Sequence, residues 1–217
     1  MSVIKHAIIS AAGMGTRLGM NMPKCLVEVN GRKIIDYLLE LLNNIEDIRI
    51  VVGFMEEEVI NYVKSIRSDV IFVRNPDYKL TTNSYSVHLA SKDLEEPFLI
   101  IDGDLIINKK SFEDFLSNCE KKPECSLIGI TKSKTEEAVF TAIKKEENEN
   151  YIKSFTREEQ LDYEWSGLAY LNGIKIEKNG GYIFHELEKH LPIRCGIIEC
   201  WEIDTPEDLE NACLACY

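Results

Sequence analysis

A pair of glycines, an arginine and a lysine sit close together near the start of this chain, and their types suit the binding of phosphate. Ala11, Ala12, Gly13, Met14, Gly15, Thr16, Arg17 and Leu18 follow a short apolar run, and Pro23 and Lys24 come soon after. Glycine directly after a strand lets backbone N–H groups approach phosphate oxygens and cradle them. Arg17 offers a planar fork of donors and Lys24 a compact point charge, two complementary grips on a polyphosphate. Two other phosphate loops do not match. The GxxxxGK[ST] string is absent, and the dinucleotide fingerprint needs a third glycine where Leu18 stands. Nor does an acid follow at a strand end about twenty residues on, since Asp36 falls in a helical pattern. A surface turn with two solvated cations would use the same residue types. The placement directly behind a strand favours the phosphate reading.

Acids form the second group. Asp102 and Asp104 flank Gly103 at the end of the apolar run 98–101, and ligands of open α/β sheets bind at such carboxyl ends. Two residues apart, they would share a face of an extended backbone. A plain turn is the other reading. Asp204 stands between a strand-like run and a helix-like one. Helix capping there falls to Thr205, with Pro206 at the first helical position and acids in the first turn. The chain carries a net charge of −12, so any phosphate it handles must meet locally concentrated cations or a metal ion.

Gly13, Gly15 and Arg17 with Pro23 and Lys24 resemble the signature of the nucleotidyltransferase family built on the sugar-nucleotide pyrophosphorylase and cytidylyltransferase fold, the MobA-like NTP transferases included. The resemblance implies that the loop from Ala11 to Thr16 wraps a triphosphate. It implies that Arg17 stabilises departing pyrophosphate and that Lys24 sits on the reacting phosphates. Asp102-Gly103-Asp104 is similar to the family's D-x-D element, whose second acid holds Mg²⁺, and Asp204 matches its late metal-binding aspartate. On that basis Asp104 and Asp204 bridge one Mg²⁺, and Asp102 contacts nucleotide. Asn75, Tyr78, Thr82, Asn83 and Ser86 look like the pyrimidine-side element of the phosphocholine and aminoethylphosphonate cytidylyltransferases, with Ser84 where that element has a second asparagine. Thr82 and Asn83 are thus expected beside the base. A plain helix cap is the alternative there. Glu164, Trp165, Tyr170 and Glu202 fall where the family places its acceptor. Trp165 could hold a quaternary ammonium by cation–π contact, or belong to the core.

The implied reaction is Mg²⁺-dependent transfer of a nucleotidyl group from an NTP, CTP first, to a small phosphorylated acceptor. Phosphocholine, aminoethylphosphonate and a phosphorylated amino acid or amide are the acceptor classes. A sugar-1-phosphate reaction with UTP, GTP or dTTP is the alternative within the family. A non-catalytic nucleotide-binding module would keep the loop without needing Asp104 and Asp204, and a nicotinamide-dependent dehydrogenase is disfavoured by Leu18 and Lys24.

The elements that must position these residues alternate. The runs 6–10, 48–52, 70–73, 98–101 and 126–130 are almost continuously apolar, as strands covered on both faces are. Segments 34–42, 56–66 and 112–119 have helical spacing of apolar residues. That alternation predicts an α/β fold, a Rossmann-like, mostly parallel twisted sheet flanked by helices. Beyond residue 130, 139–144 and 151–156 predict a small β-hairpin substrate lobe turning on the polar run 145–150. A strand at 165–172, a partly helical segment 174–190 interrupted at Gly180 and Gly181, a last strand at 197–202 and a closing helix follow. One domain is expected over 1–217, its NTP half about 1–131 and its acceptor half about 132–217. No internal repeat or linker breaks it.

Acidity argues against a nucleic-acid partner. No stretch of 18 apolar residues and no signal-peptide pattern is present, so no membrane partner is expected and the location is read as cytoplasmic. A homodimer is compatible with the resemblance. The seven cysteines read as reduced thiols, the lone pair Cys213 and Cys216 included, and His185 and His190 as ordinary helix residues.

Overall fold

In chain order the elements are β1 (His6–Ser10), β2 (Glu28–Val29), β3 (Arg32–Lys33), α1 (Ile34–Leu41), β4 (Asp47–Val52), α2 (Glu56–Ile66) and β5 (Ile71–Arg74). Then come α3 (Asn83–Ser91), β6 (Phe98–Asp102), β7 (Leu105–Ile107), α4 (Lys109–Lys121) and β8 (Leu127–Lys132). The chain continues with β9 (Phe140–Glu146), β10 (Glu149–Thr156), β11 (Tyr163–Leu171), α5 (Ile183–Glu188), β12 (Ile193–Ile197), β13 (Cys200–Glu202) and α6 (Pro206–Ala215). The computed structural model describes residues 4–135, 137–178 and 181–215.

Ala7, Ile8 and Ile9 have no exposed surface because β1 lies inside the sheet, parallel to β4 on one side and β6 on the other. The sheet has nine strands in the order β5-β4-β1-β6-β11-β8-β12-β10-β9. β11 and β10 run against the others, and the remaining strands all point one way. The fold is α/β with a mostly parallel sheet, as expected, and the β9–β10 pair forms the anticipated hairpin. Helices cover both faces. Leu38 of α1, Val63 of α2 and Phe115 of α4 belong to one apolar cluster, and Val87 of α3 and Leu187 of α5 to the other. Three acids open α2, where the helix dipole favours negative charge, and Asn108 caps α4 by accepting from the Ser111 N–H at 3.0 Å.

Two expectations need correction. The apolar run 197–202 is not one strand: Ile197 ends β12 in the large sheet, and Cys200–Glu202 pairs antiparallel with β7 in a separate two-stranded sheet. The segment 174–190 is helical only over Ile183–Glu188, with His190 in a turn; Gly180 lies outside the described residues. Strand order, which the sequence reading leaves open, places β11 antiparallel between β6 and β8. The described cysteines are all free thiols, and Cys216 lies outside the described residues. No described helix is long and apolar enough to cross a membrane.

Candidate active site

A cavity of about 350 Å³ opens at the carboxyl ends of β1 and β6, lined on one side by the glycine loop and on the other by the start of α3. The loop is shaped by close packing. Gly15 has φ +58°, and a Cβ there would stand 2.6 Å from Cγ of Lys24, so the lysine stem lies directly against the loop backbone. A Cβ on Gly13 would meet no protein atom within 4 Å, which leaves that face open to a ligand. Gly103 has a different need: its Cβ would fall 2.8 Å from the Ser10 carbonyl oxygen, so only glycine lets the acid-bearing turn sit against β1. Ala11, Ala12, Gly13, Gly15 and Thr16 line the cavity, whereas Met14 does not.

The two cations and the acids meet here. Lys24 Nζ donates to Asp104 Oδ2 at 2.8 Å and also to Asp204 Oδ1, and Arg17 pairs with Asp204. Burial alone would lower the Lys24 pKa; Asp104 and Asp204 outweigh it and hold the ammonium above the usual lysine range. Burial and then the Asp104 charge push the Asp102 carboxyl up, and Glu202, open to the cavity but walled by protein, is raised by desolvation and by Asp104 and Asp102. Asp104 and Asp204 converge through backbone pairing: the Ile203 N–H donates to the Asp104 carbonyl at 3.0 Å, joining the turns that carry them. Oxygens of Asp104, Glu202 and Asp204 lie within 4.8 Å of one another, a carboxylate set suited to a hard divalent cation. Glu202, expected among acceptor residues, sits in this cluster and lines the cavity.

The opposite wall comes from 75–86 and 181–183. Asn75 does not reach the cavity; its amide donates to Thr81 and Ser86 at 3.1 and 3.0 Å and braces the loop. Thr82 holds the N-cap position of α3 without capping, because its hydroxyl donates to the Gly181 carbonyl. Asn83 accepts from the Ile183 N–H at 3.4 Å. Thr82 and Asn83 line the cavity, together with Thr81, Ser86, Tyr78 and Tyr182. Tyr182 was not read from the sequence as a cavity residue, and no local pattern marks it. It arrives there through the Thr82–Gly181 contact, 99 residues apart in the chain.

Residues 7–157 match the family model of the MobA-like NTP transferase domain. The chain belongs to that family. It is 39% identical over 116 residues to the choline-phosphate cytidylyltransferase of Streptococcus pneumoniae, covering 51% of this chain and 49% of the relative. It is 33% identical over 124 residues to the CTP:phosphoglutamine cytidylyltransferase of Campylobacter jejuni, covering 54% and 47%. These matches span about half the length of the curated relatives. Among solved structures, the CTP:phosphocholine cytidylyltransferase of Streptococcus pneumoniae superposes with a TM-score of 0.76 at 24% identity, covering 99% of this chain and 100% of that one. A UDP-glucose pyrophosphorylase bound to UDP-glucose gives 0.80 at 20% identity, covering 99% and 98%. At those identities the likeness is one of fold.

On this NTP transferase fold, three of the expected acceptor residues lie away from the cavity. Tyr170 is fully buried, and its hydroxyl donates to the Pro123 carbonyl at 2.8 Å, so it is a core residue. Its place on β11 between Leu99 of β6 and Leu127 of β8 explains why. Glu164 accepts from the Lys134 backbone N–H at 3.3 Å and is a fixed anchor for the turn after β8. Trp165 pairs with Ile130, packs against the apolar cluster shared with α3 and α5, and does not line the cavity. A second tryptophan, Trp201, already carries a cation on its ring: Lys134 Nζ lies 4.6 Å from the centroid.

Proposed function

We propose that this chain is a nucleotidyltransferase that moves a nucleotidyl group from an NTP, with CTP preferred, to an oxygen of a small phosphorylated acceptor, releasing pyrophosphate. The observation that carries this reading is the convergence of Lys24, Arg17, Asp104 and Asp204 at the mouth of a glycine loop. Asp104, Glu202 and Asp204 would hold a divalent cation, Mg²⁺, which supplies positive charge against the phosphate oxygens.

The attacking phosphate or phosphonate oxygen is an anion at neutral pH, so the site needs no general base. Its task is to align two anions and reduce their repulsion. Lys24 lies where it can leave its carboxylate partners for the α-phosphate. Arg17, on the exposed side of the same loop, presents its fork to the departing pyrophosphate. The backbone of Ala11 to Thr16 cradles the triphosphate, with the open face of Gly13 allowing its close approach. Thr82 and Asn83 offer donors and acceptors to the base edge.

The choice of CTP rests on the cytidylyltransferase relatives from Streptococcus pneumoniae and Campylobacter jejuni. Cytosine presents an amino donor beside a ring acceptor, whereas uracil presents the reverse pair. A polar group left unpaired by the wrong base costs about 1–3 kcal/mol, a penalty on UTP of roughly tenfold to a hundredfold. The test is kcat/KM for pyrophosphate release with CTP, UTP, ATP and GTP, run against phosphocholine, aminoethylphosphonate, a phosphorylated amide and a sugar 1-phosphate. CTP should lead with one of the first three acceptors. A lead for UTP or GTP with the sugar phosphate would replace this reading.

A further inference from the structure

The ammonium of Lys24 stands between two of the three carboxylates that would bind the divalent cation. It donates to Asp104 and to Asp204, and the side chains of all three residues are more than four-fifths buried. Arg17 holds the second oxygen of Asp204. The lysine stem packs against the left-handed backbone of Gly15, which brings the ammonium to the acids from the side of the loop. Glu202 completes the cluster and forms no salt bridge of its own among the described residues, although the Lys24 charge reaches it. Without Lys24, Asp102, Asp104, Glu202 and Asp204 would face one another with only the rim cation Arg17 nearby, an arrangement strongly disfavoured at neutral pH.

We propose that Lys24 is the resident counter-ion of the divalent cation site and competes with the metal for Asp104 and Asp204. This inference rests on the cation site of the proposed function. An ammonium and a divalent cation cannot share the same two carboxylates closely without repulsion. Metal binding to the nucleotide-free protein is therefore weak. A polyphosphate that draws Lys24 and Arg17 onto its own oxygens vacates the acids, so metal and nucleotide each favour the other's binding. Lys24 thus does two jobs with one charge. It stabilises the empty acid cluster, and it withholds the cluster from metal until the anion arrives.

The probe is Mn²⁺ alone, titrated into nucleotide-free protein and followed by the electron paramagnetic resonance signal of free Mn²⁺. Wild type is compared with Lys24→Met and Lys24→Gln, and thermal unfolding of each is recorded with and without Mn²⁺. Removing the ammonium should tighten Mn²⁺ binding about tenfold or more, despite the loss of any catalytic function. Mn²⁺ should also raise the melting temperature of both variants more than that of wild type, and a variant that folds only with Mn²⁺ counts as the same result. Folded variants that bind Mn²⁺ no more tightly than wild type would overturn the counter-ion role and leave the cation site standing. If neither wild type nor either variant binds Mn²⁺ at all, the cation site itself fails, and the inference with it.

Discussion

At Asp204 three ideas about the site meet, because one carboxylate is bonded to Lys24, paired with Arg17 and close to Asp104 and Glu202. Asp104→Ala and Asp204→Ala should each abolish measurable pyrophosphate release while circular dichroism stays that of the wild type, since Lys24 keeps one acidic partner in either variant. Near-wild-type turnover in either would remove that acid from the machinery. Arg17→Lys should lose on the order of 10²-fold in kcat, because a point charge cannot replace the planar fork on pyrophosphate oxygens. Steady-state rates at saturating nucleotide check it, and full activity would return Arg17 to the surface. Tyr170 behaves in the opposite way. Its hydroxyl shares the Pro123 carbonyl with the Asn172 amide at 2.8 Å, so Tyr170→Phe leaves that carbonyl paired. It should cost about 1 kcal/mol or less in thermal unfolding and nothing in kcat/KM. A large kinetic effect would restore an acceptor role to Tyr170.

Among the elements, β1 and α2 were legible to the residue because each is a clean pattern with a clear stop. The glycine loop and the aspartates at the end of β6 were legible too, since motif and strand end coincide. The break after Ile197 was not. Residues 197 to 202 read as one strand, yet they feed two sheets, and only tertiary pairing decides where the chain leaves one for the other. The place of β11 is likewise a property of strand order, which local periodicity does not encode. The acceptor expectation followed the resemblance, and on β11 it selected Glu164 and Tyr170, which are buried, and Trp165, which packs against the core. Tyr182 was missed for a similar reason: a long-range contact brings it to the cavity. Gly103 shows what the elements demand of a turn. Gly103→Ala must push the turn off the Ser10 carbonyl and Ala11, which should cost about 1–3 kcal/mol in stability and lower kcat by displacing Asp102 and Asp104. Denaturant unfolding and turnover together check this, and an alanine variant with unchanged stability would mean that the turn relaxes freely.

Across the whole molecule, a strongly acidic chain gathers the two cations of its glycine-loop region at one point. The net charge is −12, yet Arg17 and Lys24 converge where four acids also gather, so under the proposed function bound cation and bound phosphate would have to balance together. Such a site can transfer a group between anions only while that balance holds, which makes the identity of the released group the sharpest test. Phosphorus-31 magnetic resonance of CTP with Mg²⁺ and the active acceptor resolves every phosphorus in the reaction. The expected result is loss of the CTP β and γ resonances to free pyrophosphate, matched one for one by a new linked pair from the α-phosphorus and the acceptor. Release of orthophosphate without a new linked pair, or no change with any acceptor, would contradict nucleotidyl transfer by this chain.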